Sequence, residues 1–147
     1  MLGVTRVIIC RVVQFCTNEI KPNINVISIG IGSDITFDVE MVQKYQSNIW
    51  ALGPTITPKH FHSLVNNSSI PIELYKKFKF HPFGLGDVDT VIPFYRATNK
   101  ALGSRIITPG VEGYYNTPEF YTPKLTIQTL QFITKLKQID KLKVDLK

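Results

Sequence analysis

The strongest constraint on the fold is an alternation between short apolar runs and helix-start signals. Asn25–Ile29 (NVISI) is apolar and β-branched and is closed by Gly30 and Gly32, the pattern of a buried strand. Ser33 or Asp34 then offers a helix N-cap. Ile35, Val39 and Val42 follow at i, i+4 and i+7, one face of a helix. Ile35, Phe37, Val39 and Met41 also alternate as on a strand, but a cap directly after a glycine turn favours the helix. Asn48–Leu52 (NIWAL) is a second apolar run, closed by Gly53 and Pro54. Thr57-Pro58 reads as a cap with proline at the first helical position. It heads a helix over Pro58–Asn66 that carries Phe61, Leu64 and Val65. A further helical piece is expected over Ile72–Lys77. Residues 78–83 (FKFHPF) form a third strand candidate that ends at Pro82, which has no N–H for a ladder. The order β-α-β-α-β predicts an α/β fold, a doubly wound and mostly parallel sheet covered by helices.

The pattern then changes. Residues 84–90 read as a turn, and VIPFY (91–95) as a short strand in a hairpin appendage. Residues 97–123 carry three prolines, three glycines and the aromatics Tyr114, Tyr115, Phe120 and Tyr121. They read as a long loop whose aromatics either cover a pocket or anchor the loop to the surface. LTIQTL (125–130) starts as a strand and runs into a helix, with Leu130, Ile133 and Leu136 on one face. LKVDL (142–146) is a fourth apolar strand with Asp145 near its end.

Composition narrows the class. With 147 residues, 44% hydrophobic and 19% charged, the chain is long enough for a real core and is not of disordered type. The net charge of +6 permits attraction to anionic partners without requiring it. No nucleic-acid motif or concentrated basic stripe is present, so no nucleic-acid partner is expected. Lys135, Lys137, Lys141, Lys143 and Lys147 are expected on the polar faces of the last elements. The N-terminal run is broken by Arg6 and Arg11, leaving only residues 7–10 uninterrupted; that is too short for a membrane span or signal-peptide centre. Residues 1–24 are therefore read as a packing segment, with 4–16 a strand or short helix. Cys10 and Cys16 lack a zinc-type spacing, and two reduced thiols in a cytoplasmic protein are expected.

In a doubly wound sheet, ligands bind beyond the carboxyl ends of the strands, where the strand order reverses. The turn Gly30-Ile31-Gly32 lies at such an end, with a helix N-terminus behind it. A lone G-x-G also ends many ordinary strands. The dinucleotide fingerprint is absent, since position 35 is Ile, and there is no P-loop. His60 and His62 are two apart and point about 200° from one another on a helix, as solvent-exposed histidines do. His81 reads as structural, Asp87 and Asp89 as turn residues, and Asp38 and Glu40 as solvent-facing. No hydrolytic triad order appears.

Four ordered segments carry a more specific signal: GIGSDITFD (30–38), NIWALGPTITPK (48–59), FKFHPFGLG (78–86) and IDKLKVDL (139–146). Together they resemble the FkbM-type S-adenosylmethionine-dependent methyltransferases. The resemblance covers residues 25–147 and implies a Rossmann-like methyltransferase domain that takes S-adenosylmethionine. By this resemblance Gly30, Gly32, Ser33 and Asp34 face the methionine and ribose part of the cofactor. Position 53 is the ribose-binding position, Gly86 and Asp87 lie near the adenine, and Asp145 sits near the transferred methyl. The implied reaction is methyl transfer to an oxygen of a small molecule or glycan; no catalytic base and no metal are implied. Two departures stand out. Position 53 is Gly where the family has Asp, and the sequence stops at Lys147 where the family continues with Glu-Gly. The domain is therefore expected to be truncated after about the fourth core strand. That strand would be an exposed edge for a partner chain to cover. The alternative is a gene fragment or a non-catalytic binding module with this fold and no competent cofactor site.

Overall fold

The computed structural model describes residues 9–10, 21–99, 104–105 and 110–144. The elements in chain order are β1 (Ile9–Cys10), β2 (Asn25–Ile29), α1 (Thr36–Tyr45), β3 (Asn48–Leu52), α2 (Pro58–Asn66), a 3-10 helix (Ile72–Lys77), β4 (Phe78–His81), β5 (Gly84–Leu85), β6 (Thr90–Arg96), β7 (Ser104–Arg105), β8 (Phe120–Leu125), α3 (Ile127–Thr134) and β9 (Lys141–Val144). The main sheet has the order β1-β9-β2-β3-β4, and every neighbouring pair in it is parallel. The fold is thus α/β with a parallel main sheet. The β-α-β-α-β series forms as the punctuation predicts.

Strand alternation distributes the core over two faces. Val26, Ile49, Ala51 and Phe78 point to one face, where Met41 and Val42 of α1 and Phe61 and Val65 of α2 meet them. Ile27, Trp50 and Leu52 point to the other, under Leu130 of α3 and with Leu136 and Ile139. Helices therefore cover both faces. Burying each of these large side chains contributes roughly 1.5–3 kcal/mol.

Local chemistry fixes the helix ends. Thr57 Oγ1 accepts the His60 N–H at 3.1 Å, with Pro58 opening α2. Thr126 caps α3 through the Thr129 N–H at 3.2 Å. At α1 the cap differs from expectation: Ile35 is the N-cap and makes no side-chain bond. Asp34 instead closes an Asx-type turn, its Oδ1 accepting the Thr36 N–H at 3.0 Å.

Four expectations need correction. First, β9 is not an edge: it lies between β2 and β1, with Leu142 opposite both Ile27 and Ile9. The N-terminal residues Ile9 and Cys10 occupy the place expected to stand open. Second, the stretch read as a long loop contains β8, which pairs antiparallel with β6 and parallel with β5 in a smaller four-stranded sheet. Phe120 stacks on Phe94 at 5.1 Å, so this aromatic anchors the segment. Third, α3 ends before Leu136, and Ile133 is exposed; only Leu130 and Leu136 of the expected face are buried. Fourth, Lys141 is buried and the Lys143 side chain is only 13% exposed. β9 is an inner strand, so neither lysine sits on a solvent face. Cys16, Lys147 and most of residues 1–24 lie outside the described residues.

Candidate functional site

The chain builds outward from β2 to β3 and β4, then returns through α3 to place β9 on the other side of β2. The strand order therefore reverses between β2 and β9, the place where open α/β sheets bind ligands. Because the sheet is parallel, Gly30 after β2, Gly53 after β3 and Pro82 after β4 all lie at the same end.

Gly30 has φ 80°, a left-handed conformation that costs a side chain heavily and glycine little. This turns the chain from β2 toward α1. The turn is tied to β3: the N–H groups of Gly30 and Ile31 both donate to the Leu52 carbonyl, at 3.1 and 3.2 Å. The N–H groups of Gly32 and Ser33 make no hydrogen bond among the described residues, and both can donate to a ligand oxygen. A Cβ on Gly32 would meet nothing within 4 Å, so this side of the turn is open. Ser33 and Asp34 also border an open groove of about 560 Å³ between α1 and the end of α2, with Glu40, Lys44 and Ser68.

Gly53 is buried, and a Cβ there would lie 2.8 Å from the Ile31 carbonyl oxygen and 3.3 Å from Ile31 Cβ. Its N–H donates to the His81 carbonyl at 3.2 Å. The backbone of the Gly30-Ile31 turn thus occupies the space that a side chain at position 53 needs. Gly86 belongs to the smaller sheet, its N–H donating to the Leu125 carbonyl at 2.9 Å. Asp87 is exposed and pairs with Lys124 at 3.2 Å. The Lys124 ammonium, through its hydrogen bond first, holds the Asp87 carboxyl below its ordinary value. The structure therefore brings Gly30, Gly32, Ser33, Asp34 and Gly53 to one turn and gives Gly86 and Asp87 partners on β8. Asp145 lies outside the described residues.

Asp38 is fully buried, not solvent-facing as its position on an amphipathic helix suggested. The side of α1 that carries it lies against β9, where Lys143 Nζ approaches Asp38 Oδ2 to 3.5 Å. Neither carboxylate oxygen accepts a hydrogen bond of ordinary geometry. Burial pushes the Asp38 carboxyl above its ordinary value, while the Lys143 charge and the neighbouring Ser28 hydroxyl pull the other way. Ser28 is itself fully buried on β2, directly opposite Lys143, and the Lys143 ammonium also lies 5.3 Å from the Phe37 ring centre. Periodicity gives no sign of this cluster. The only sequence signal is that Asp38 and Lys143 both fall within the segments that carry the family resemblance.

His81 is half-buried at the end of β4 and stacks on Phe83 at 5.2 Å. Burial first, and Lys79 second, hold its imidazole below the ordinary histidine value. His60 and His62 are exposed, as expected. Among the described residues no group of three or more His, Cys, Asp or Glu side chains could hold a metal ion, and no helix is long and apolar enough to cross a membrane.

Comparison with protein-family models, curated proteins and solved structures found no match.

Proposed function

We propose that this chain is a Rossmann-like, S-adenosylmethionine-dependent methyltransferase-type domain acting on an oxygen of a small molecule or glycan. The observation that carries the reading is the strand-order reversal between β2 and β9 with the Gly30 turn at its mouth. Support comes from the open Gly32 position and the unused Gly32 and Ser33 N–H groups, which suit the carboxylate of an amino-acid moiety. When bound, the cofactor supplies a sulfonium methyl group. It would offer that methyl to an acceptor oxygen, while Gly30, Gly32, Ser33 and Asp34 would hold its methionine end. The chain's own part in such an in-line transfer is to hold both reactants at close approach.

The fit is uneven along the cofactor. The turn suits its methionine end, but position 53 has no room for the carboxylate expected to hold the ribose, since its Cβ would lie 2.8 Å from a backbone oxygen. Gly86 and Asp87 already have partners on β8. These two observations favour a second reading, a non-catalytic binding or interaction module on the same fold. Calorimetric titration with S-adenosylmethionine separates the two. A ligand at about 100 times its Kd stabilises a fold by about 2.7 kcal/mol, so heat should be accompanied by a raised Tm. Neither heat nor thermal stabilisation up to millimolar ligand refutes the enzyme reading and leaves the binding module.

A further inference from the structure

We infer that Asp38 and Lys143 form a positioning pair that moors the carboxyl end of β9 at the ligand crevice. The inference rests on the crevice assigned above. β9 is a four-residue inner strand, and its two ends are fastened by different means. At its start, Asp140 Oδ2 accepts the Asn25 N–H at 2.8 Å, and the Asp140 N–H returns to the Asn25 carbonyl at 2.9 Å. Gln138 closes the knot by donating to Asp140 Oδ1 at 2.6 Å and accepting from Asn25 Nδ2 at 3.0 Å.

At the far end the polar tie is the ion pair of Lys143 with Asp38, at 3.5 Å. That tie joins three elements that frame the crevice. Lys143 stands on β9, Ser28 faces it on β2 just before the Gly30 turn, and Asp38 reaches it from the first turn of α1. An acid there gains from the helix N-terminus. Asp38 is fully buried and the Lys143 side chain is 13% exposed, so no bulk water reaches the carboxylate to replace Lys143. A charge left alone in this place pulls toward solvent and drags its element with it. Because β9 is so short, a shift at Lys143 carries directly to Val144 at the strand's carboxyl end.

The test uses the full chain with Asp38→Asn, Lys143→Met, the double variant and the conservative Lys143→Arg. Amide hydrogen exchange is followed over residues 26–31 and 141–144, with Phe78–His81 on the distant strand β4 as internal reference; S-adenosylmethionine affinity is measured alongside. Each single neutral variant should speed exchange in β9 and the end of β2 at least tenfold while β4 changes less than twofold. Lys143→Arg should keep wild-type protection. The double variant, with no lone buried charge, should recover its Tm while affinity stays at least tenfold weaker. Uniform acceleration including β4, or no acceleration in β9, overturns the mooring. Recovery of affinity together with Tm in the double variant shows a merely structural pair and also overturns it. If the wild type binds no S-adenosylmethionine, the methyltransferase reading fails and the exchange pattern alone decides the mooring.

Discussion

Replacing Gly53 by alanine tests the arrangement at the crevice most directly. The added Cβ would stand 2.8 Å from the Ile31 carbonyl oxygen, 3.3 Å from Ile31 Cβ and 3.3 Å from Ile56 Cγ1. The nearest of these is backbone, so no side-chain rotation relieves it. The Gly30-Ile31 turn must move, and the two hydrogen bonds it gives to Leu52 move with it. Overpacking of this kind costs about 1–3 kcal/mol, and weakening one backbone hydrogen bond adds about 0.5–1.5 kcal/mol. Alanine recovers about 0.4–1 kcal/mol by stiffening the unfolded chain, which leaves a net loss of about 0.5–4 kcal/mol. Gly32→Ala is the matched control, because nothing lies within 4 Å of its Cβ and its φ is not left-handed. It should be neutral or slightly stabilising. The chain's single tryptophan, Trp50, is 5% exposed and reports unfolding by fluorescence. At a urea m-value of about 1–3 kcal/mol/M, Gly53→Ala should lower the midpoint by about 1 M, with Gly32→Ala unmoved. Equal midpoints for the two variants refute the close approach, and with it the physical reason why an acid is absent from position 53.

Three further outcomes follow from the packing and the charges. Phe61 is fully buried and stacks on Phe80 at 4.8 Å, so Phe61→Ala should cost about 3–5 kcal/mol in urea unfolding. Asp89 accepts the Thr126 N–H at 2.7 Å and the Thr129 hydroxyl, and these bonds, the hydroxyl first, lower its pKa. Its contribution is therefore present above the ordinary carboxylate value and lost as pH falls through the depressed one. Asp89→Asn should remove that acid-side loss, seen as a flatter dependence of Tm on pH. His81 is held below its ordinary value by burial, so its neutral form favours the fold: stability is full above the ordinary histidine value and falls as pH drops through it. His81→Gln should abolish that step, and a His81→Gln profile that keeps it assigns the step to another group.

What the sequence discloses here is what is decided locally. The series from Asn25 to His81 could be read because its signals are close together: β-branched runs, glycine and proline stops, and a Thr-Pro cap within a few residues of the apolar face it introduces. The pairing of Ile9 and Cys10 with Leu142 and Lys143 joins opposite ends of the chain, and no periodicity marks it. The burial of Asp38 is a second long-range event. Alternation with apolar residues puts the late lysines on a polar face, and a charged residue on the first helix reads as solvent-facing. The parallel pairing of β9 with β2 sets Lys143 opposite Ser28 and beneath α1, where it meets Asp38. Gly53 shows the same limit at shorter range. Comparison with a family pattern registers a missing acid there, but only the folded turn shows that a backbone oxygen fills the space. The crevice is therefore legible as far as its glycine turn, which one segment builds alone, and illegible where two distant segments must meet to complete it.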